Sequence, residues 1–196
     1  IDAVISLKAE THNFPTTVEP FNGAATGSGG EIRDRLAGGK GSLPLAGTAV
    51  YMTSYSRLKD ESNSAAEKPW EQSFPARKWL YQTPLDILIK ASNGASDFGN
   101  KFGQPLITGS ILTFEHKESN DITPNAAEES RQVPPPPKGE ESEGAMAFAF
   151  DKVIMQAGGI GYGKLDQALK DTPEAGDKIV VLGGDNYRIG MGGAAV

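Results

Sequence analysis

The sequence predicts a mixed fold of strands and helices, and three observations carry that expectation. Five short runs rich in apolar and β-branched residues read as strands: 3–8 (AVISLK), 45–54 (LAGTAVYMTS), 105–114 (PLITGSILTF), 152–158 (KVIMQAG) and 178–184 (KIVVLGG). A second pattern, with Leu85, Leu88 and Ile89 at i, i+3 and i+4, gives one apolar helix face. Between these segments lie glycine- and proline-rich stretches that break regular structure.

Taken in order, the first strand leads into the polar run Glu10–Phe14, and Pro15 and Pro20 then interrupt regular structure. Residues 23–30 are too glycine-rich for a stable helix interior and read as a loop. A short helix from Gly30 to Leu36 is expected behind it, with Glu31 near its positive N-terminal end. Residues 60–68 are polar and small, a loop. Helices follow over 77–81 and 83–92, the second opened by Pro84, a residue suited to the first helical position. Gly109 marks a bulge or close backbone approach within its strand. The continuous apolar character of 152–158 and 178–184 predicts strands buried on both faces. Leu165–Lys170 is helix-like, and Pro173–Asp177 forms a turn.

The stretch 115–145 is acidic and contains PPPP at 134–137, so it is expected as a mobile or extended insertion. A proline-rich docking segment is the alternative. His116, at its edge, reads as a solvated surface residue. The chain accordingly divides into 1–114, 115–150 and 151–196. It starts at Ile1 and ends at Val196 after a Gly-Gly-Ala-Ala run, so an excised or processed fragment is expected.

The 196 residues carry a formal net charge of −6 and no cysteine. The charge argues against a general nucleic-acid or anionic-membrane binder. Without Cys there is no disulfide, thiolate metal site or Cys nucleophile in this piece. No apolar run approaches the ~20 residues of a membrane helix, and a cytoplasmic location is the expectation.

The chemistry concentrates in Glu10–Gly41, ETHNFPTTVEPFNGAATGSGGEIRDRLAGGKG. A glycine-dense loop brings backbone N–H groups close to a phosphate. Carboxylates beside it can hold Mg²⁺, which takes oxygen ligands and bridges them to phosphates. The bland alternative is a glycine-rich turn with solvated acids. A second glycine-dense stretch, GGDNYRIGMGGAA, reads equally as a phosphate loop or a tight turn.

The wording KAETHNFPTTVEPFNGAATGSGGEIRD closely resembles the formylglycinamide ribonucleotide amidotransferase family. The resemblance continues in PLAGTAVYMTSY (44–55), KASNGASDFGNKFGQPLITGS (90–110), DKVIMQAGGIGYG (151–163) and GDKIVVLGGDNYRIGMGGAAV (176–196), leaving 57–89 and 115–150 weak. It implies an α+β, aminoimidazole ribonucleotide synthetase-like fold with its second half missing, from the large single-chain form of the enzyme. It also implies an activity: formylglycinamide ribonucleotide, glutamine and ATP give formylglycinamidine ribonucleotide, with ATP activating the amide oxygen and ammonia displacing phosphate.

By that resemblance His12 is the catalytic histidine, and Glu10 and Asp34 bind Mg²⁺ on the ATP phosphates. Lys8 meets a phosphate as a point charge. Thr11, Asn13 and the loop glycines Gly23, Gly27, Gly29 and Gly30 line nucleotide and substrate. Arg33 contacts a phosphate or pairs with Asp34 or Glu31. Phe14 stands where many members carry a second His, which excludes it from acid–base work. Expected partners are a glutaminase and a second synthetase module of the same parent chain. The alternatives are another ATP-using member of the superfamily, or a structural nucleotide-binding module without turnover.

Overall fold

A computed structural model describes residues 2–56, 82–118 and 146–185. The elements are β1 (Ala3–Thr11), α1 (Asn13–Val18), α2 (Pro20–Leu36), β2 (Leu43–Thr53), α3 (Pro84–Lys101), β3 (Leu106–Thr113), β4 (Glu115–Glu118), β5 (Met146–Ala149) and β6 (Ile154–Lys164), followed by a 3₁₀ turn at Leu165–Gln167. Four strands form one sheet in the order β1-β6-β2-β3. β6 is antiparallel to both β1 and β2, and β2 runs parallel to β3. The segment between the parallel strands includes α3, as a parallel connection requires a crossover. Helices α2 and α3 lie together on one face, making an α+β arrangement.

Alternation sets that face. Ala49, Tyr51 and Thr53 of β2 and Met155 and Ala157 of β6 are buried under the helices, where they meet Ala24, Ile87, Leu88, Ala91 and Ala95. The opposite face is largely open, with Ile5, Leu7 and Ile107 exposed. Thr83 caps α3, its hydroxyl accepting the Asp86 N–H at 3.2 Å, and Pro84 takes the first turn.

Four expectations need correction. Residues 23–30 are the interior of the 17-residue α2, not a loop. Their glycines allow close approach to neighbouring elements: a Cβ on Gly23 would lie 2.5 Å from the Pro15 backbone, and one on Gly29 would lie 2.6 Å from the Phe98 ring. α3 reciprocates, since a Cβ on Gly94 would lie 1.9 Å from the Phe21 carbonyl oxygen. Low intrinsic propensity is overridden by packing that only glycine permits.

Second, the boundary at 151 cuts through the sheet. β6 lies between β1 and β2, so it belongs with residues 3–113. Its burial is one-sided, with Gln156 exposed between Met155 and Ala157. Third, Ile179, Val180, Val181 and Leu182 are almost wholly exposed and form no strand, because no sheet edge among the described residues pairs with them. Fourth, the ends of the expected insertion are ordered: β4 and β5 pair antiparallel, Glu115 opposite Ala149 and Glu118 opposite Met146. The exposed His116 stacks on Phe148 there, with ring centroids 6.4 Å apart. The expected helix at 77–81, the PPPP run and most of the second glycine-dense stretch lie outside the described residues.

The glycine packing gives a paired test by thermal unfolding. Gly23→Ala meets rigid backbone and should destabilise by about 1–3 kcal/mol. Gly30→Ala meets the Glu10 Cγ at 3.5 Å and Arg33 Nη2 at 3.8 Å, both ordinary contacts. It should stabilise by about 0.5–1 kcal/mol through helix propensity. Equal effects would mean that close packing does not explain the glycines.

Candidate functional site

On β1, Lys8 and Glu10 alternate onto the helix-covered face at the edge of the sheet, because β1 is an outer strand. Asp34, one turn beyond Gly30 on α2, meets them there. Lys8 Nζ lies 3.1 Å from Glu10 Oε2 and 2.7 Å from Asp34 Oδ2. One ammonium thus gathers both acids, although they are distant in sequence. Its hydrogen bonds to Asp34 and then Glu10 raise the Lys8 pKa above its ordinary value. The same contact with Lys8 holds the Asp34 carboxyl below its usual range. All three side chains reach solvent, so the cluster adds little to stability. Its consequence is placement: two carboxylates and a cation converge on one accessible edge.

His12 follows directly, at the junction of β1 and α1. Burial is the main influence that lowers its pKa; the Glu10 charge opposes this, and Arg33 reinforces it. The imidazole is therefore neutral at neutral pH. Its Nε2 is shielded from solvent and has no hydrogen-bond partner, which leaves one ring nitrogen able to exchange a proton. A dense backbone clamp holds the junction. The His12 N–H donates to the Met155 carbonyl at 3.0 Å, and the Met155 N–H donates to Asn13 Oδ1 at 3.0 Å. Thr16 donates its hydroxyl hydrogen to the His12 carbonyl.

The structure therefore brings Lys8, Glu10 and Asp34 into contact and sets His12 beside them. Gly30 lies against Glu10. Arg33 is exposed and pairs with neither Asp34 nor Glu31. The partner of Glu31 is Arg35. Thr11 alternates to the opposite face of β1. Asn13 spends its side-chain oxygen on Met155. Gly23 and Gly29 are buried against α1 and α3, and Gly27 against His12 and Met155, all within α2, so a cradle of loop N–H groups does not form at 23–30. Among the described residues no three acids, histidines or cysteines cluster as a metal site. Two carboxylates do suit Mg²⁺, which is commonly held by one or two of them plus phosphates and water.

Sequence reasoning missed the buried support beneath this edge. Glu31 and Arg35, one turn apart on α2, form an ion pair at 2.7 Å with both side chains almost fully buried. Arg35 also donates Nε to Glu31 Oε2 at 2.8 Å and Nη1 to the Ile160 carbonyl at 2.8 Å. Gln104 closes the set, accepting from Arg35 and donating to Glu31 Oε1. The Glu-x-x-x-Arg spacing was the available signal, but i, i+4 pairs are usually solvated surface pairs.

No family model matches the chain. The chain is 41% identical over 191 residues to the phosphoribosylformylglycinamidine synthase of Dictyostelium discoideum, covering 97% of this chain and 12% of that protein. It is also 41% identical over 194 residues to a probable chloroplastic/mitochondrial phosphoribosylformylglycinamidine synthase of Arabidopsis thaliana, covering 99% of this chain. The chain thus spans about an eighth of the length of these relatives, 12% in both cases. Among solved structures, it is similar to Thermotoga maritima PurL complexed with ATP, at 20% identity and a TM-score of 0.44, covering 84% of this chain and 17% of that one.

The two charge clusters should respond oppositely to neutralisation. Lys8→Met removes a solvent-reaching cation and should leave the melting temperature close to wild type. Glu31→Gln strands a buried guanidinium and should cost about 3–5 kcal/mol in denaturant unfolding. A mild Glu31→Gln effect would mean that Arg35 finds another acceptor or water.

Proposed function

We propose, from the premise that this chain belongs by sequence with the phosphoribosylformylglycinamidine synthases, that it forms part of the ATP-dependent synthetase unit of such an enzyme. The parent is a C–N ligase of purine biosynthesis with glutamine as amide donor, converting formylglycinamide ribonucleotide to formylglycinamidine ribonucleotide. The unit has the aminoimidazole ribonucleotide synthetase-like fold. A glutaminase and a second synthetase module of the parent complete the reaction, and the segment alone is inactive. The observation that carries the reading is the convergence of Lys8, Glu10 and Asp34 beside a neutral His12.

In this scheme Lys8 and Arg33 offer positive charge to ATP phosphates. Glu10 and Asp34 would hold Mg²⁺, which when bound neutralises phosphate charge. His12 takes or gives a proton at the substrate amide, a role suited to a neutral imidazole with a free nitrogen. Gly30 borders the nucleotide, whereas Thr11, Asn13 and the buried glycines act through the backbone. The net charge of −6 speaks against a nucleic-acid partner. Among the described residues no helix is long and apolar enough to cross a membrane. A cytoplasmic location is our reading for this chain; the Arabidopsis thaliana relative is named as chloroplastic/mitochondrial.

The test uses the full-length protein with ammonium as nitrogen donor, which bypasses the glutaminase. His12→Ala should lower kcat by about 10²–10⁴-fold while sparing ATP binding. Asp34→Asn should raise the Mg²⁺ concentration needed for ATP use without unfolding the protein. A normal kcat in His12→Ala removes that residue from the mechanism.

A further inference from the structure

Beneath His12, the Thr17 hydroxyl is buried and makes two hydrogen bonds of opposite sense. It accepts the Val153 N–H at 3.0 Å and donates to the Asn13 carbonyl at 3.0 Å. The first bond ties α1 to the residue that leads into β6. The second ties the hydroxyl to the residue next to His12. Two residues further along the chain from Val153, Met155 binds His12 and Asn13 through its own carbonyl and N–H. The backbone from 12 to 17 and that from 153 to 155 are thus joined at three points, and Thr17 supplies the only side-chain hydroxyl among them.

The space around the His12 Cβ is equally confined. A Cβ on Gly27 would come within 3.0 Å of the His12 Cβ and 2.8 Å of Met155 Sδ. The His12 backbone therefore sits between α2 and β6 with little freedom to slide. None of the three joining bonds involves the imidazole, which leaves Nε2 unpartnered. A clamp that grips the backbone and spares the ring fixes where the ring lies without using up its chemistry.

We infer that Thr17 is a positioning residue for His12: its hydroxyl locks the start of α1 to the entry of β6 and so fixes the imidazole relative to Glu10 and Lys8. This rests on the role proposed for His12. Thr17 has no contact with Lys8, Glu10 or Asp34 in the described hydrogen bonds and ion pairs, so it acts through the backbone alone.

The experiment compares Thr17→Val, Thr17→Ser and His12→Ala in the full-length protein, with ammonium as donor and the folded fraction measured by thermal melting. Valine keeps the shape and removes the hydroxyl; serine keeps the hydroxyl. Thr17→Val should lower kcat per folded enzyme by about 10–100-fold, the scale of a displacement near 1 Å, with KM for ATP within about twofold of wild type. Thr17→Ser should restore kcat to within about twofold of wild type by the same reasoning. If Thr17→Val does not fold, Thr17→Ala against Thr17→Ser makes the same comparison. A hydroxyl-free variant that folds and keeps normal kcat, while His12→Ala loses it, overturns the inference and leaves the His12 reading standing. A fall in folded fraction with normal kcat per folded enzyme also overturns it, since Thr17 would then only stabilise. A normal kcat in His12→Ala overturns the catalytic reading, and the inference with it.

Discussion

The closed set Glu31–Arg35–Gln104 is the constraint on which the rest of the sheet and helices depends. Burying a charge is costly unless it is paired and its remaining hydrogen-bonding capacity is met. Here both Glu31 oxygens are occupied, and the Arg35 guanidinium reaches the acid, the amide and the Ile160 carbonyl. One helix, the central strand β6 and the link between α3 and β3 are thereby held in one register. The strand makes room for this. A Cβ on Gly159 would lie 2.6 Å from Arg35 Nη2 and from Glu31 Oε2, so the glycines of β6 are the space in which the ion pair sits. Replacing such a pair as a whole with apolar residues is often neutral, whereas removing one member strands the other.

The same logic of missing side chains governs the helix layer. α2 carries four glycines in 17 residues, each costing roughly 1 kcal/mol relative to alanine in a helix interior. The cost is offset because backbone atoms of Pro15 and the Phe98 ring approach where a Cβ would stand, and Gly94 of α3 gives Phe21 the same access. Dispersion attraction between backbones at such short range replaces what a larger side chain would supply. Asp34 reaches the β1 edge from the same helix, one turn beyond Gly30.

The candidate site is therefore built in two layers with different physics. The outer layer, Lys8, Glu10 and Asp34, reaches solvent and is screened. The inner layer is buried and fixed by directional bonds, among them those of Thr17 and Asn13 to β6 and the residue before it. His12 belongs to both: its backbone is clamped while its ring nitrogen stays unpartnered. Rigid support beneath solvent-reaching charge gives His12 a fixed position beside Lys8 and Glu10.

Much of this was legible in the chain itself. Apolar and β-branched runs placed β1, β2 and β3 to within about three residues, because strand preference is largely local, whereas β6 runs six residues past its expected end, to Lys164. The spacing in Leu85, Leu88 and Ile89 placed the start of α3 for the same reason, although the helix runs on to Lys101. The wording around His12 also identified the stretch where Lys8, Glu10 and Asp34 meet. Tertiary structure alone decided the rest. Local propensity reads GAATGSGG as a loop, and only the neighbours that press against its glycines make it helical. Local pattern reads 151 as the start of a new unit, and only long-range pairing puts β6 between β1 and β2. The i, i+4 spacing of Glu31 and Arg35 looks the same on a wet surface as in a core. What buries the pair is the sheet that folds over it, and that contact lies 125 residues away along the chain, at Ile160.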